Sequence, residues 1–313
     1  MSRNALLFLS MSVVWGFTWI PSKIAMDHSP PLLFAAVRYI IAAPLMLIMA
    51  GMVGRVAPAG SLGRLIVSAL LVNTGCYALL YWGIHRTPTG LAAIVNMATI
   101  PLFSILLGRL HGDETIDRRK IAAIALGTVG LALLYARRLP VAGHAADPSE
   151  ALGLAAVLGA SVCYCWGAVI SRPLTRVMTP MALAGWQSAI GALTLLILSL
   201  SFEQAGMAEL EELARWPTNG CLAFMIIGGT LLGYLIYLRL LRDWGPFRAG
   251  LYAFVSPAIA VIAGVVFMDE TFGWQEAVGG LVMFTAAGLA ITARRPAAPV
   301  PAPASAPPSL RAE

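Results

Sequence analysis

Apolar residues gather into ten long runs, over 4–25, 31–50, 64–84, 88–109, 118–136, 151–171, 180–201, 219–239, 246–268 and 274–293. A helix crossing a bilayer needs ~20 mostly apolar residues, so each run is a candidate span. The connections are short except 137–150 and 202–218. The latter, "FEQAGMAELEELARWPT", is acidic and predicts a short surface helix. The first run has one basic residue before it and no small-x-small cleavage site after it, so it is expected to remain as a helix. The pattern therefore predicts an all-α integral membrane protein of ten transmembrane helices. The Pro/Ala-rich stretch 294–313 is expected to be a disordered tail.

The polar positions set the orientation. With the N-terminus inside, the inside segments hold 15 of the 21 Lys and Arg residues, among them Arg55, Arg64, Arg118, Arg119, Lys120, Arg172 and Arg242. The outside segments hold five: Lys23, Arg86, Arg137, Arg138 and Arg215. The remaining one, Arg38, lies within a span. Such a bias predicts both termini in the cytoplasm. It also accounts for the net charge of +6 through an anionic inner leaflet rather than nucleic acid.

The pattern also repeats. "PLFSILLGRLHGDET" (101–115) and "PAIAVIAGVVFMDET" (257–271) lie 156 residues apart, and at the same offset Thr74 matches Thr230, Tyr81 matches Tyr237 and Ala93 matches Ala249. "SVVWG" (12–16) pairs with "SVCYCWG" (161–167), and "PLLFAAVR" (31–38) with "PMALAGWQ" (180–187). Each half carries five spans. Five is odd, so the second half enters the membrane inverted, and inverted repeats around a midplane site are a transporter architecture. The expected units are 1–140 and 141–293, followed by the 294–313 tail. The Asp-Glu-Thr endings lie at span exits and are expected to cap the following helices through Glu114 and Glu270.

Composition then excludes. The chain of 313 residues is 59% hydrophobic and 12% charged, with a mean hydropathy of +0.80. Soluble domains carry about 25% charged residues. The four cysteines all sit in apolar runs, without metal-site spacing and without a histidine cluster, so no metal and no cofactor is expected. No GxxxxGK[ST], HExxH or GxSxG occurs, which argues against ATP drive and intramembrane catalysis.

Polar side chains inside spans are costly and become site candidates. Arg38 is the eighth residue of its span, roughly 12 Å deep at 1.5 Å per residue. It is either a clamp for a substrate carboxylate or a structural arginine on helix-end carbonyls. Trp15, Trp19 and Lys23 share one helical face, with Thr18 beside them; Lys23 also has the choice of reaching the surface. Asn73, Tyr77 and Tyr81 form a second stripe, and Thr230, Tyr234 and Tyr237 a third. Asn96, Thr99, Tyr164, Trp166, Trp186, Gln187, Tyr252 and Ser256 complete the cavity candidates. For Tyr81 and Tyr237, an interfacial aromatic belt is the alternative. Pro101 and Pro257 interrupt matched spans and are hinge candidates. Spans 5 and 10 carry small residues and almost nothing polar, which suits close packing or a homodimer. None of the 15 Asp and Glu residues lies mid-span and all four His lie outside the spans, so no conventional proton-coupling group is evident.

The motifs resemble the drug/metabolite transporter superfamily, and within it the EamA-type family. The resemblance rests on "WG" at 15–16 with Lys23 downstream, "AAVRYIIAA" around Arg38, and the two Pro-to-DET windows, and it covers about 4–293. Asp113 and Asp269 depart from the Gly usual before the motif Glu, and Gln187 stands where the first half has Arg38. The resemblance implies efflux of small metabolites, often amino acids or amphipathic compounds, through a central cavity in the inner (plasma) membrane. The expected partners are a small-molecule solute and the lipid bilayer. A lipid-linked flippase or a membrane scaffold shares the ten-helix pattern and stays as the alternative.

Overall fold

The computed structural model describes residues 3–87, 89–112, 114–136, 148–268 and 273–291. The expected tail, and Glu270 with its neighbours, lie outside the described residues. Among the described residues the fold is all helical, and nine helices are long and apolar enough to cross a membrane: α1 (Arg3–Ser22), α2 (Pro31–Val53), α3 (Leu62–Ile84), α4 (Ala92–Leu110), α6 (Pro148–Val177), α7 (Pro180–Glu203), α8 (Thr218–Trp244), α9 (Pro246–Ala263) and α10 (Trp274–Ile291). The expected fifth span is the helix α5 (Arg118–Leu134), which has only 17 residues. Its first three residues are basic, which shortens the apolar stretch. The 202–218 segment does form a short helix, Met207–Leu213. Glu209 there accepts the Gly206 N–H at 2.8 Å, and that bond holds its carboxyl below the ordinary range.

Helix starts follow the sequence chemistry. Pro31 and Pro180 occupy first turns, where a missing N–H costs nothing. Thr179 accepts the Ala182 N–H at 3.1 Å and Asp117 accepts the Lys120 N–H at 2.8 Å. The start of α2 is capped from afar: the Glu203 carboxylate, at the end of α7, accepts the N–H groups of Leu32 at 2.8 Å and Leu33 at 3.0 Å. At the other end of this pair, Trp186 Nε1 donates to the Val56 carbonyl at 2.8 Å.

The capping role expected for Glu114 is corrected. Asp117 caps α5, whereas Glu114 is buried in an ion pair with Lys120 Nζ at 2.8 Å. Two glycines make room for it. A Cβ on Gly108 would sit 2.7 Å from Glu114 Cγ, and one on Gly245 (φ +86°) 2.9 Å from Oε1.

The long helices pack in a pattern that exchanging the halves leaves unchanged. α2 packs on α7, and α5 on α10; α1 packs on α8 and α9, while α6 packs on α3 and α4. The small residues of α5 and α10 serve this packing. A Cβ on Gly279 would lie 2.7 Å from the Gly130 carbonyl oxygen, and one on Gly127 would strike the Phe254 ring. Gly127, Gly130 and Gly279 are thus used for packing within the chain.

The two ends of the bundle differ. At the end rich in basic residues, Phe247, Phe254, Leu240 and Leu241 are fully buried and Phe8 packs on Trp244 with centroids 5.8 Å apart. Toward the opposite end, where α2 begins and α3 finishes, the helices part around a cavity.

Candidate functional site

The cavity has a volume of about 250 Å³ and is mostly apolar in lining. That is the scale of a small metabolite, below the ~300–1,000 Å³ of drug-sized sites. Its walls come from α1, α2, α3, α4, α6, α8 and α9.

Arg38 marks its polar end. The residue is only 4% exposed, yet lines the cavity. Its guanidinium carbon stands 4.5 Å from the Tyr39 ring centroid and 5.1 Å from that of Tyr77. These rings support a cation through their faces. The Nε and Nη2 atoms are buried and have no hydrogen-bond partner among the described residues. Buried polar groups are nearly always paired, and a guanidinium presents a planar fork that matches a carboxylate. Of the two roles open from sequence, the structural one requires carbonyl partners for those atoms, and none is present among the described residues.

The other wall is aromatic. Trp15 meets Tyr252 edge-on with centroids 4.4 Å apart, and its Nε1 donates to the Gly229 carbonyl at 3.0 Å. Tyr164 and Tyr234 continue this wall. The Tyr164 hydroxyl is a second buried group with no partner among the described residues. Between the two ends, Asn73 Nδ2 donates to the Gln187 carbonyl at 2.7 Å and Asn96 Nδ2 to Ser161 Oγ at 3.1 Å. Both amide nitrogens are held by these bonds.

Eleven of the predicted residues line the cavity together: Trp15, Thr18, Arg38, Asn73, Tyr77, Tyr81, Asn96, Tyr164, Tyr234, Tyr252 and Ser256. The side chains of Trp19 and Lys23 lie outside the described residues. Five predictions are corrected. Tyr237 is 2% exposed and sits behind the wall, against Trp15, Tyr164, Tyr234 and Tyr252. Trp166 is largely exposed on the outer face of α6. Thr99 returns its hydroxyl to the Val95 carbonyl, and Trp186 ties α7 to Val56.

Gln187 is the most informative correction. It is fully buried below the cavity, where its Nε2 donates to Ser68 Oγ and Ser171 Oγ, both at 2.8 Å, and its Oε1 accepts the Tyr234 hydroxyl at 2.6 Å. It knots α3, α6, α7 and α8 together.

The sequence missed Tyr39 and Cys76, which also line the cavity. Tyr39 follows Arg38 directly, and adjacent helical residues do not usually share a face, so periodicity gave no signal for it. Also unforeseen are π-helical stretches in two lining helices, Leu70–Gly75 in α3 and Met225–Tyr234 in α8. At an offset of 156 the two overlap. Such widened turns favour functional positions, because they redirect side chains and free carbonyls. Pro101 and Pro257 follow Ile100 and Ser256, both cavity residues, and their helices continue through them.

The family model described as the EamA-like transporter family matches residues 2–136 and 151–292. The chain belongs to the EamA-like transporter family. It is similar to the transporter YvbV of Bacillus subtilis (strain 168), at 28% identity over 91% of this chain and 90% of that one. The inner membrane transporter YedA of Escherichia coli (strain K12) is 28% identical over 94% and 93%. A probable amino-acid metabolite efflux pump of Salmonella typhimurium (strain LT2) is 28% identical over 92% and 94%. A solved crystal structure superposes with a TM-score of 0.75 at 17% identity, covering 93% of this chain and 96% of the other, and so shares its fold. This EamA protein is accordingly a multi-pass transporter of a bacterial-type inner membrane.

Proposed function

We propose that this EamA protein exports small metabolites, amino acids or related amphipathic or anionic organic solutes, by alternating access through the central cavity. The observation that carries this reading is Arg38: a buried guanidinium that lines the cavity with Nε and Nη2 unpaired. A carboxylate guest would complete it. The efflux-pump relative of Salmonella typhimurium supports the same class of cargo.

The reading includes ten crossings in two inverted halves, with both termini cytoplasmic. α5 then crosses as a short span, about 25 Å at 1.5 Å per residue over its 17 residues. The basic end faces the cytoplasm, and the cavity faces outward.

Pairs of repeat-related residues support alternation. Arg38 and Tyr81 line the cavity, whereas their counterparts are buried, Gln187 below it and Tyr237 behind its wall. Rocking the halves about Pro101 and Pro257 would exchange the two roles, opening the Gln187 knot as the outer side closes. A lipid-linked flippase would want a wide apolar lateral opening, and the aromatic, amide-bearing centre suits a solute carrier better.

The test is rescue of a sensitive host from a panel of toxic amino acids, their analogues and toxic organic carboxylates. Wild-type protein should protect against one class, and Arg38→Ala should lose that protection. Removing a charge-assisted bidentate contact costs about 1.5–3 kcal/mol, a ~10- to 100-fold loss in apparent affinity. Undiminished protection by Arg38→Ala would remove the clamp.

A further inference from the structure

The cavity is electrically one-sided. Arg38 is the only Lys, Arg, His, Asp or Glu lining it among the described residues. The rest of the lining consists of aromatic rings, apolar side chains, amides and hydroxyls. Three aliphatic hydroxyls already donate to backbone, Thr18 to the Trp15 carbonyl, Thr230 to that of Met225 and Ser256 to that of Ser12, while Ser22 donates to Met225 Sδ and Tyr234 to Gln187 Oε1.

From this imbalance, and resting on the carrier reading above, we infer that the preferred cargo is an organic monoanion rather than a zwitterion, and that the membrane potential drives its export. A carboxylate against Arg38 brings the site to neutrality. A zwitterion would add an ammonium with no carboxylate to meet it. The oxygens of Asn73 and Asn96 could solvate that group but not neutralise it, and unpaired charge inside a membrane is costly.

Coupling follows from the same count. Among its described residues the empty site carries one positive charge, and the loaded site none. Each outward delivery, followed by return of the empty carrier, moves one negative charge out of the cell. An inside-negative potential favours this cycle without a proton, consistent with a cavity that has no carboxylate or histidine among its described lining residues. A potential of 100 mV is worth ~2.3 kcal/mol per charge, which is about fifty-fold in the concentration ratio that can be sustained.

Matched probes separate charge from shape. 3-Phenylpropanoate, L-phenylalanine and 2-phenylethylamine share one skeleton as anion, zwitterion and cation; 4-methylpentanoate, L-leucine and isoamylamine form a second set. Purified protein in liposomes is placed on a solid-supported membrane and given concentration jumps of each probe. Passive leak of the neutral acids carries no charge, so current isolates carried anion. Both anions should give a current of negative-charge transfer, with little from the zwitterions or amines. Arg38→Gln should abolish it. With a potassium/valinomycin potential of 100 mV, the anion ratio should shift by about fifty-fold.

Zwitterion uptake without current, exceeding that of the anions, would overturn the inference and leave the carrier reading intact. So would anion uptake without current that follows a pH gradient. Silence of all six probes also overturns it, and the carrier reading falls with it only if the host panel shows no protection either.

Discussion

Residues at the two poles of this bundle show how differently a buried charge can be used. Arg38 keeps Nε and Nη2 without a partner among the described residues, while Lys120 is 2% exposed and paired with Glu114 at 2.8 Å and the Thr115 carbonyl at 2.7 Å. Removing one partner of a buried pair strands the other, so Lys120→Met should destabilise by about 3–5 kcal/mol. The double variant Lys120→Met with Glu114→Leu should recover most of that loss, because the desolvation penalty disappears with the charges. Thermal unfolding in detergent reads both. Gln187→Leu removes three side-chain bonds between helices. At ~0.6 kcal/mol each on average in membranes, the expected loss is about 2 kcal/mol. Arg38 was legible in the sequence because depth alone made it expensive. Gln187 was misplaced because its type and repeat position match a cavity residue, and only the packing shows which of two equivalent positions is sealed. Glu114 was read as a cap because its partner, six residues on, looks in sequence like one more surface cation.

At the scale of the helix, close approach is set by glycines that the apolar pattern does not single out. Gly233 in α8 faces the Trp15 indole, and an added Cβ there would strike its Nε1. Gly233→Ala should push Trp15 off its bond to the Gly229 carbonyl and into the cavity. Transport should fall while the protein still folds, and the tryptophan emission should shift as that bond is lost. Unaltered transport would mean that α8 can move aside instead. Helices themselves were readable from sequence because the bilayer demands internal pairing of every backbone group and leaves little else to predict. Their π-helical stretches were not. "LLVNTG" and "MIIGGTLLGY" contain no proline, and the widening depends on how α3 and α8 meet their neighbours. The matched prolines were visible, and the structure adds that each follows a residue lining the cavity.

For the whole molecule, everything about inversion turns on one short helix. Counting from the loop after α2 to the helix after α7, the chain passes through α3, α4, α5, α6 and α7. If all five cross, Ala57 and Glu211 lie on opposite sides; if the 17-residue α5 does not, they lie on the same side. Both residues are exposed, so each can carry a cysteine without disturbing the core. The four native cysteines are first replaced, so that only the introduced thiol can carry label. The positive-inside bias assigns the Ala57 loop to the cytoplasm, beside Arg55 and Arg64. A membrane-impermeant maleimide should therefore label Glu211→Cys in intact cells, and Ala57→Cys only after permeabilisation. Labelling of both in intact cells, or of neither, would leave α5 out of the crossing count and remove the inverted repeat with it. The reverse pattern would keep the repeat but turn the cavity toward the cytoplasm. The packing of α5 along α10, with Gly130 against Gly279, argues for labelling on opposite sides, because a helix lying flat at the surface could not follow a membrane-crossing partner along its length.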